Sequence, residues 1–274
     1  MTSGISVLIL TLNEEKNLPE ALASVAERAE EVVVLDSYST DGTLDIARQW
    51  GARVVQRKFD NYASQRMAGL SLEFNCPWIM MLDADERVPP ELWDEMQGAV
   101  AATEASTAMF RMRRKDMFLG RWLKRSSGYP TWFGRLLKRG QVQVVREINE
   151  EYVTSGEVRY LNNHLVHYPF NRGLSYWIER HNKYSSMEAQ KLVEESLVPV
   201  RWRGIVSRDP VERRRSLKRL AYRVPFRPTL VFCYLYIVRG GFLDGVPGLV
   251  FCRLRASYET FIDAKVAEHK HGSK

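Results

Sequence analysis

The chain has 274 residues, with 40 Lys and Arg against 33 Asp and Glu, a formal net charge of +7. That length holds one sizeable domain plus an extension. Cys76, Cys233 and Cys252 are scattered beside apolar residues without ligand spacing, which excludes a disulfide scaffold or thiolate metal site and fits buried thiols in a reducing compartment.

No apolar run reaches the ~18 residues of a confident membrane span. A signal peptide is not expected, because the chain enters a strand without a basic leader segment. The first hundred residues read as β-α-β-α-β-α. Strand one is 5–12. Asn17 or the turn before it opens a helix over 19–28, with Leu18, Leu22 and Val25 on one face. Strand two is 31–35. The turn Ser39-Thr-Asp-Gly-Thr43 leads into a helix over 43–50, which Gly51 stops. A short strand over 52–56, a helix over 61–73 and a strand over 77–82 follow. Pro89-Pro90 starts a helix that runs to about residue 103. Short strands alternating with helices imply an α/β fold with a mostly parallel central sheet. No Gly-x-Gly-x-x-Gly follows strand one, which argues against a dinucleotide site.

Past residue 105 the pattern changes. Residues 107–113 alternate loosely, as a half-buried strand does, and 132–137 read as its return. A turn and strand pair over 142–168 ends at His164-Leu-Val-His-Tyr168. Residues 174–195 read as a helix on which Trp177, Tyr184 and Met187 share a face. From 201 to 227 there are ten basic residues against Asp209 and Glu212. Two apolar stretches, 229–238 and 242–254, come next, then an amphipathic helix from Leu254 to about Val266. The expected division is 1–195, with halves 1–104 and 105–195, followed by a helical extension over 196–274.

The chemistry concentrates where strands end. Asp83-Ala84-Asp85 follows a buried apolar run, Asp36 closes strand two, and Asn13-Glu14-Glu15 follows strand one. In open α/β sheets ligands collect beyond the carboxyl ends of the strands. Each carboxylate alone has an ordinary reading, as a solvated loop or helix-start acid. Together they suit a phosphate-bearing ligand held through a divalent metal. Asp36 is suited to accept a hydrogen bond from a base or ribose. Asp85 is suited to Mg2+ or Mn2+ bridging two phosphates, with Asp83 orienting the sugar or the metal shell.

Thr11-Leu-Asn-Glu-Glu15, Asp36-Ser-Tyr-Ser-Thr-Asp-Gly-Thr43, Gln65-Arg66 and Leu82-Asp-Ala-Asp-Glu86 resemble glycosyltransferase family 2. Gly240-Gly-Phe-Leu-Asp-Gly245 and Tyr258 resemble the branch that contains lipopolysaccharide inner-core β-glucosyltransferases. The resemblance implies a GT-A fold and an inverting transfer from a nucleotide-diphospho-sugar, most often a UDP-sugar. It implies that Thr11, Asn13, Glu15 and Asp36 shape the nucleoside site, and that Gln65 and Arg66 lie near the donor phosphates. Asp83, Ala84 and Asp85 then serve the sugar and the metal. An inverting transfer needs a base on the acceptor side. The branch carries it in a His-Glu pair, and Asn149-Glu150 occupies that place, so Glu150 is the expected base and Glu147 the second candidate.

His164 and His167 stand i,i+3 on a strand and do not face each other, so they are not expected to form a metal pair. His167 is the one expected to line the cleft. The arginine-rich run permits nucleic-acid binding, but the aromatic, apolar segments behind it favour an anionic membrane surface through residues 201–266. A helical hairpin packed on the catalytic domain, or used in a homo-oligomer, is the competing use of the same segments. Nucleic acid is not an expected partner. The acceptor expected is a lipid-linked glycan at the cytoplasmic face of the inner membrane. The reading from a different class is a non-catalytic glycan-binding or membrane-anchoring protein that keeps the fold.

Overall fold

In the computed structural model, which describes residues 4–145, 151–196 and 226–271, strand β1 (Ile5–Thr11) lies between two parallel partners and is buried over almost its whole length. Its side chains alternate between two cores, as the pleat requires. Ile5, Val7 and Ile9 face one cluster and Leu8 faces the other. This two-sided burial explains why β1, β2 (Glu31–Asp36) and β4 (Trp78–Asp83) are near-continuous apolar runs rather than alternating ones.

Helices α1 (Leu18–Ala23), α2 (Thr43–Gln49) and α4 (Pro90–Ala101) supply Leu22, Ala47 and Trp93 to the first cluster. Helix α3 (Tyr62–Leu70) supplies Ala63 and Leu70 to the second. The Asn61 side chain caps α3 by accepting from Ser64 N. A Cβ at Gly69 would stand 2.6 Å from Leu8 Cδ2, so glycine lets α3 approach the sheet this closely. Helix α1 is shorter than the periodicity suggests. Ser24 Oγ donates back to the Ala21 carbonyl at 2.7 Å, and Ser24 N serves two carbonyls, which tightens the last turn.

The chain divides into two units, Met1–Met117 with Tyr129–Arg172, and Phe118–Gly128 with Gly173–Lys274. The first holds β3 (Arg53–Gln56), β5 (Glu86–Arg87), β6 (Thr107–Phe118, shared at its end), β8 (Trp132–Lys138), β9 (Gln143–Val145), β10 (Glu151–Val153) and β11 (Glu157–His167). The sheet order is β3-β2-β1-β4-β8-β6-β11-β5. It is mixed, where a mostly parallel sheet is expected from the sequence. Strands β3, β2, β1 and β4 are parallel, as are β6 and β11. The β4–β8, β8–β6 and β11–β5 ladders are antiparallel. An antiparallel return needs no helical crossover, which is why the regular β-α alternation stops after α4. Strand β6 runs five residues past the expected end. Its charged residues break the apolar alternation, yet they remain on the ladder with β11.

The second unit contains β7 (Arg121–Trp122), α5 (Leu174–Ser196) and α6 (Arg227–Cys233). It continues through a π-helical turn over Tyr234–Val238, a 3-10 turn over Gly241–Asp244, and α7 (Gly245–His271). The second apolar stretch and the last expected helix are one continuous helix. On α5 the buried stripe is Trp177, Ser185, Ala189 and Leu192, and Met187 is exposed, because a 3.6-residue turn carries position 187 off that stripe. Lys265 Nζ of α7 reaches Asn182 O and Oδ1 at 2.6 Å and the Ser185 and Ser186 hydroxyls at 2.8 Å. Arg227 bridges Glu259 and Asp263, each at 3.0 Å, tying α6 to α7. The basic stretch expected at 201–227 lies, up to residue 225, outside the described residues.

Candidate active site

Asp36 is fully buried at the end of β2, and both its oxygens are used. Thr11 Oγ1 and Ser39 Oγ donate to Oδ1 at 2.9 and 2.5 Å, and Ser39 N donates to Oδ2 at 2.8 Å. Gln56 Nε2 reaches the same Oδ2 at 3.3 Å. Ser39 Oγ in turn accepts from Asn13 N at 2.8 Å, and Asn13 Oδ1 accepts from Thr40 N at 2.8 Å. Glu15 Oε2 accepts from Gly42 N at 3.1 Å. The loops after β1 and β2 are thereby sewn together. Asn13 and Tyr38 both stand at positive φ, 55° and 61°, a conformation Asn tolerates and Tyr seldom adopts. Tyr38 is 57% exposed, so the hydrogen-bonded loop presents an aromatic ring to solvent at the strand ends.

Gln65 and Arg66, neighbours on α3, part company. Gln65 Nε2 donates to Ser37 Oγ at 3.1 Å and Oε1 accepts from Arg57 at 2.6 Å. Arg66 Nη2 pairs with Asp83 Oδ1 at 2.8 Å. Arg135, on β8, pairs with Asp83 Oδ2 at 2.5 Å and with the fully buried Glu86 at 2.7 Å. Burial by itself raises the Asp83 pKa, but the Arg135 and Arg66 guanidinium groups more than offset it and hold the carboxyl far below the usual range.

Asp85 faces the other way. Its Oδ2 lies 3.2 Å from His167 Nε2, and His167 Nδ1 lies 2.7 Å from Asp116 Oδ1. Register explains the meeting: His167 is opposite Asp116 on the β6–β11 ladder and opposite Glu86 on the β11–β5 ladder. Burial alone would lower the His167 pKa, but the Asp85 charge and the bond to Asp116 push it up to about 9. Asp85 is lowered in return, its burial outweighed by His167. Arg114 completes the cluster, with Asp116 at 3.0 Å and Glu86 at 3.4 Å. Ala84, between the two carboxylates, is buried.

The strand ends therefore bring together Thr11, Asn13, Glu15 and Asp36 in one network, and Arg66, Asp83 and Asp85 in or beside another. Glu147 and Glu150 lie in residues 146–150, outside the described residues. Their flanks, Val145 and Glu151, are paired across the β9–β10 ladder. Arg135, Asp116 and Arg114 carry no role in the sequence motifs, and Glu86 appears there only as the end of the Leu82–Glu86 stretch. Arg114 and Asp116 are two residues apart, but Arg135 and His167 reach this cluster from far along the chain through strand pairing. Among the described residues no three His, Cys, Asp or Glu side chains are grouped to hold a metal unaided. A groove of about 1100 Å³ opens at the opposite, amino-terminal ends of β2 and β3. Its Arg53 and Arg139 are spent on Glu31 and on the Glu73 and Phe74 carbonyls, so it offers no convergent free charge.

The family model described as Glycosyl transferase family 2 matches residues 6–156. An uncharacterized glycosyltransferase of Rickettsia felis is 29% identical over 212 residues, 70% of this chain and 71% of that protein. A lipopolysaccharide core biosynthesis glycosyltransferase of Rhizobium meliloti is 26% identical over 279 residues, 98% of this chain and 94% of that protein. Among solved structures, glucosyl-3-phosphoglycerate synthase from Mycobacterium tuberculosis in complex with Mg2+ and UDP is 22% identical, covering 50% of this chain and 56% of that one, with a TM-score of 0.37. The family match takes in β1 through β10 and the carboxylates of both networks but not His167, more than half of the chain, and on that ground the chain belongs to glycosyl transferase family 2 and is an enzyme of that family.

Proposed function

We propose that this enzyme has a GT-A catalytic region and transfers a hexose, with inversion, from a UDP-sugar to a membrane-borne glycan. The acceptor in this reading is lipopolysaccharide core or a polyprenyl-diphosphate-linked saccharide. The observation that carries the proposal is the chain Asp116–His167–Asp85 beside the arginine-clamped Asp83. The similarity to the Rhizobium meliloti protein along nearly the whole chain supports the acceptor class. The nucleotide is taken from the family resemblance.

The donor set fits a divalent cation held partly by the protein and partly by diphosphate. Asp85 would hold Mg2+ or Mn2+ together with His167, whose Nε2 faces Asp85 and would have to give up its proton when the cation enters. Asp116 fixes the imidazole through Nδ1, the outer partner that a ligating histidine needs. When bound, the cation neutralises charge building on the departing diphosphate. Asp83 orients the sugar and the outer metal shell, and is itself held in place by Arg66 and Arg135. Gln65 and Arg66 stand on the phosphate side. Thr11, Asn13, Glu15 and Asp36 hold the loop that receives the nucleoside. Glu150 takes the acceptor hydroxyl proton, with Glu147 as the second candidate.

The same proposal divides the chain into a catalytic region over 1–195 and an extension over 196–274 that places the enzyme on the cytoplasmic face of the inner membrane. No single described helix is long and apolar enough to cross a membrane. Arg227–Val238 with Gly241–His271 pass that test together, bent by 70°. The deciding experiment is calorimetry of UDP binding with and without Mn2+. Asp85→Ala should lose the metal-dependent part of the affinity, and Asp116→Asn should weaken it by about 10–100-fold. Metal-dependent binding left intact by Asp85→Ala would sink the assignment.

A further inference from the structure

The second unit carries an apolar elbow. Tyr234, Ile237, Val238, Phe242, Leu243 and Val246 are each more than half exposed, and they lie on both arms of the 70° bend. Exposed apolar side chains grouped this closely are unusual on a surface meant only for water. The elbow is a built feature. Gly240 enters it at a φ of 73°, and a Cβ on Gly241 would stand 2.7 Å from the Leu235 carbonyl oxygen, so the arms touch backbone to backbone.

A second element is fastened to it. Asp244, 4% exposed, accepts from Arg125 N at 2.9 Å and from Ser126 N and Oγ at 2.8 Å. Arg121 Nη2 donates to the Leu243 carbonyl at 3.2 Å. Loop 119–125 is thus pinned against the elbow, with a cavity of about 340 Å³ between them. Arg121, Lys124 and Arg125 are exposed and ion-paired with no described carboxylate. Leu119 is 66% exposed, and Lys124 Nζ lies 5.3 Å from the Trp122 ring centre.

The charge pattern selects the occupant. From Phe226 to Tyr258 the sole acidic residue is Asp244, which is buried and occupied, and loop 117–128 has none. Within these two described segments no exposed carboxylate stands beside the cations to repel a phosphate. A second copy of the chain, docked across a two-fold axis, would set the same cations against one another.

We propose that the elbow 234–246 and the loop 119–125 form one seat for a bilayer rich in anionic phospholipid. The apolar side chains enter the headgroup–acyl boundary. Arg121, Lys124 and Arg125 meet lipid phosphates, and Trp122 lies at headgroup depth, where its ring is both wet and greasy. This deepens the membrane association proposed above and rests on it.

Flotation of the full chain tests the seat, using phosphatidylcholine vesicles with and without phosphatidylglycerol. Wild type should float best with phosphatidylglycerol. Lys124→Glu with Arg125→Glu should lower that partition by at least about fivefold per basic side chain lost, and leave binding to pure phosphatidylcholine unchanged. Ile237→Asp with Leu243→Asp should lower both. Trp122 supplies a check that needs no charge variant: brominated lipid should quench a component of the fluorescence that Trp122→Phe removes. If wild type floats and the variants float equally well, the seat is wrong and membrane binding lies elsewhere in the chain. If wild type does not float at all, the membrane reading itself fails. If the apolar variant instead turns a dimer into a monomer in sedimentation, the occupant is a second copy and the proposal is overturned. UDP binding by the same variants reports on the donor reading separately.

Discussion

Asp83 ends a strand whose other residues are all buried, and an isolated carboxylate there would give up its charge. Arg66 and Arg135 keep it ionised, and Arg135 also serves the fully buried Glu86. Removing Arg135 takes one of two guanidinium partners from Asp83 and the nearer of two from Glu86. Arg135→Ala should therefore cost about 1–3 kcal/mol of stability in urea unfolding, the scale for taking one partner from a buried polar group. A loss below about 0.5 kcal/mol would mean that the cluster is not coupled. Asp36, Asp83 and Asp85 were legible in the sequence because each closes or follows an apolar run. His167 was half legible, as a histidine at the end of a strand. Asp116 and Arg135 were not, since a charged residue on a half-buried strand looks the same in sequence whether it meets solvent or a buried partner.

Helices α5 and α7 meet around His181. Its ring stacks on Trp177 at 3.5 Å between centres and stands edge-on to Tyr184 and Tyr258. Burial pushes its pKa down to about 4. The bond to the Trp177 carbonyl works the other way, and the Arg255 and Arg180 charges add to the depression. The folded value lies below the ordinary 6.5, so as pH falls the unfolded chain takes up this proton first. Stability from this junction is whole above pH 6.5 and declines as pH falls toward about 4. Thermal melts across that window should show the decline, and His181→Gln should flatten it; an identical pH profile in the variant would remove His181 as the cause. Element types were readable from period, but their ends were not. Helix α1 stops early on a serine back-bond, and β6 runs on through charged residues that its neighbours hold on the ladder.

At the scale of the molecule, the inverting transfer proposed above requires the donor side and the acceptor side to act in one displacement. A single displacement with no enzyme nucleophile inverts the anomeric carbon, and it needs a base to take the acceptor proton. Glu150→Gln should keep UDP binding yet slow transfer by about 10²–10⁴-fold, with the residual product inverted by NMR. Near-normal transfer would move the base role to Glu147, and a retained configuration would reject single displacement. The local signals of the chain were enough for an α/β domain, for polar and acidic side chains gathered at the ends of its first strands, and for an apolar carboxyl-terminal region, because each follows from period, composition or short-range spacing. Three things needed the folded molecule: the antiparallel half of the sheet, the arginine clamp on Asp83 with its Asp116–His167–Asp85 neighbour, and the fastening of loop 119–125 to the elbow through Asp244. The physical reason is the same in each case. These contacts join residues from 17 to 118 positions apart, and what selects them is strand pairing and attraction between charged partners in a packed interior, where burial would penalise each group alone, which no local pattern encodes.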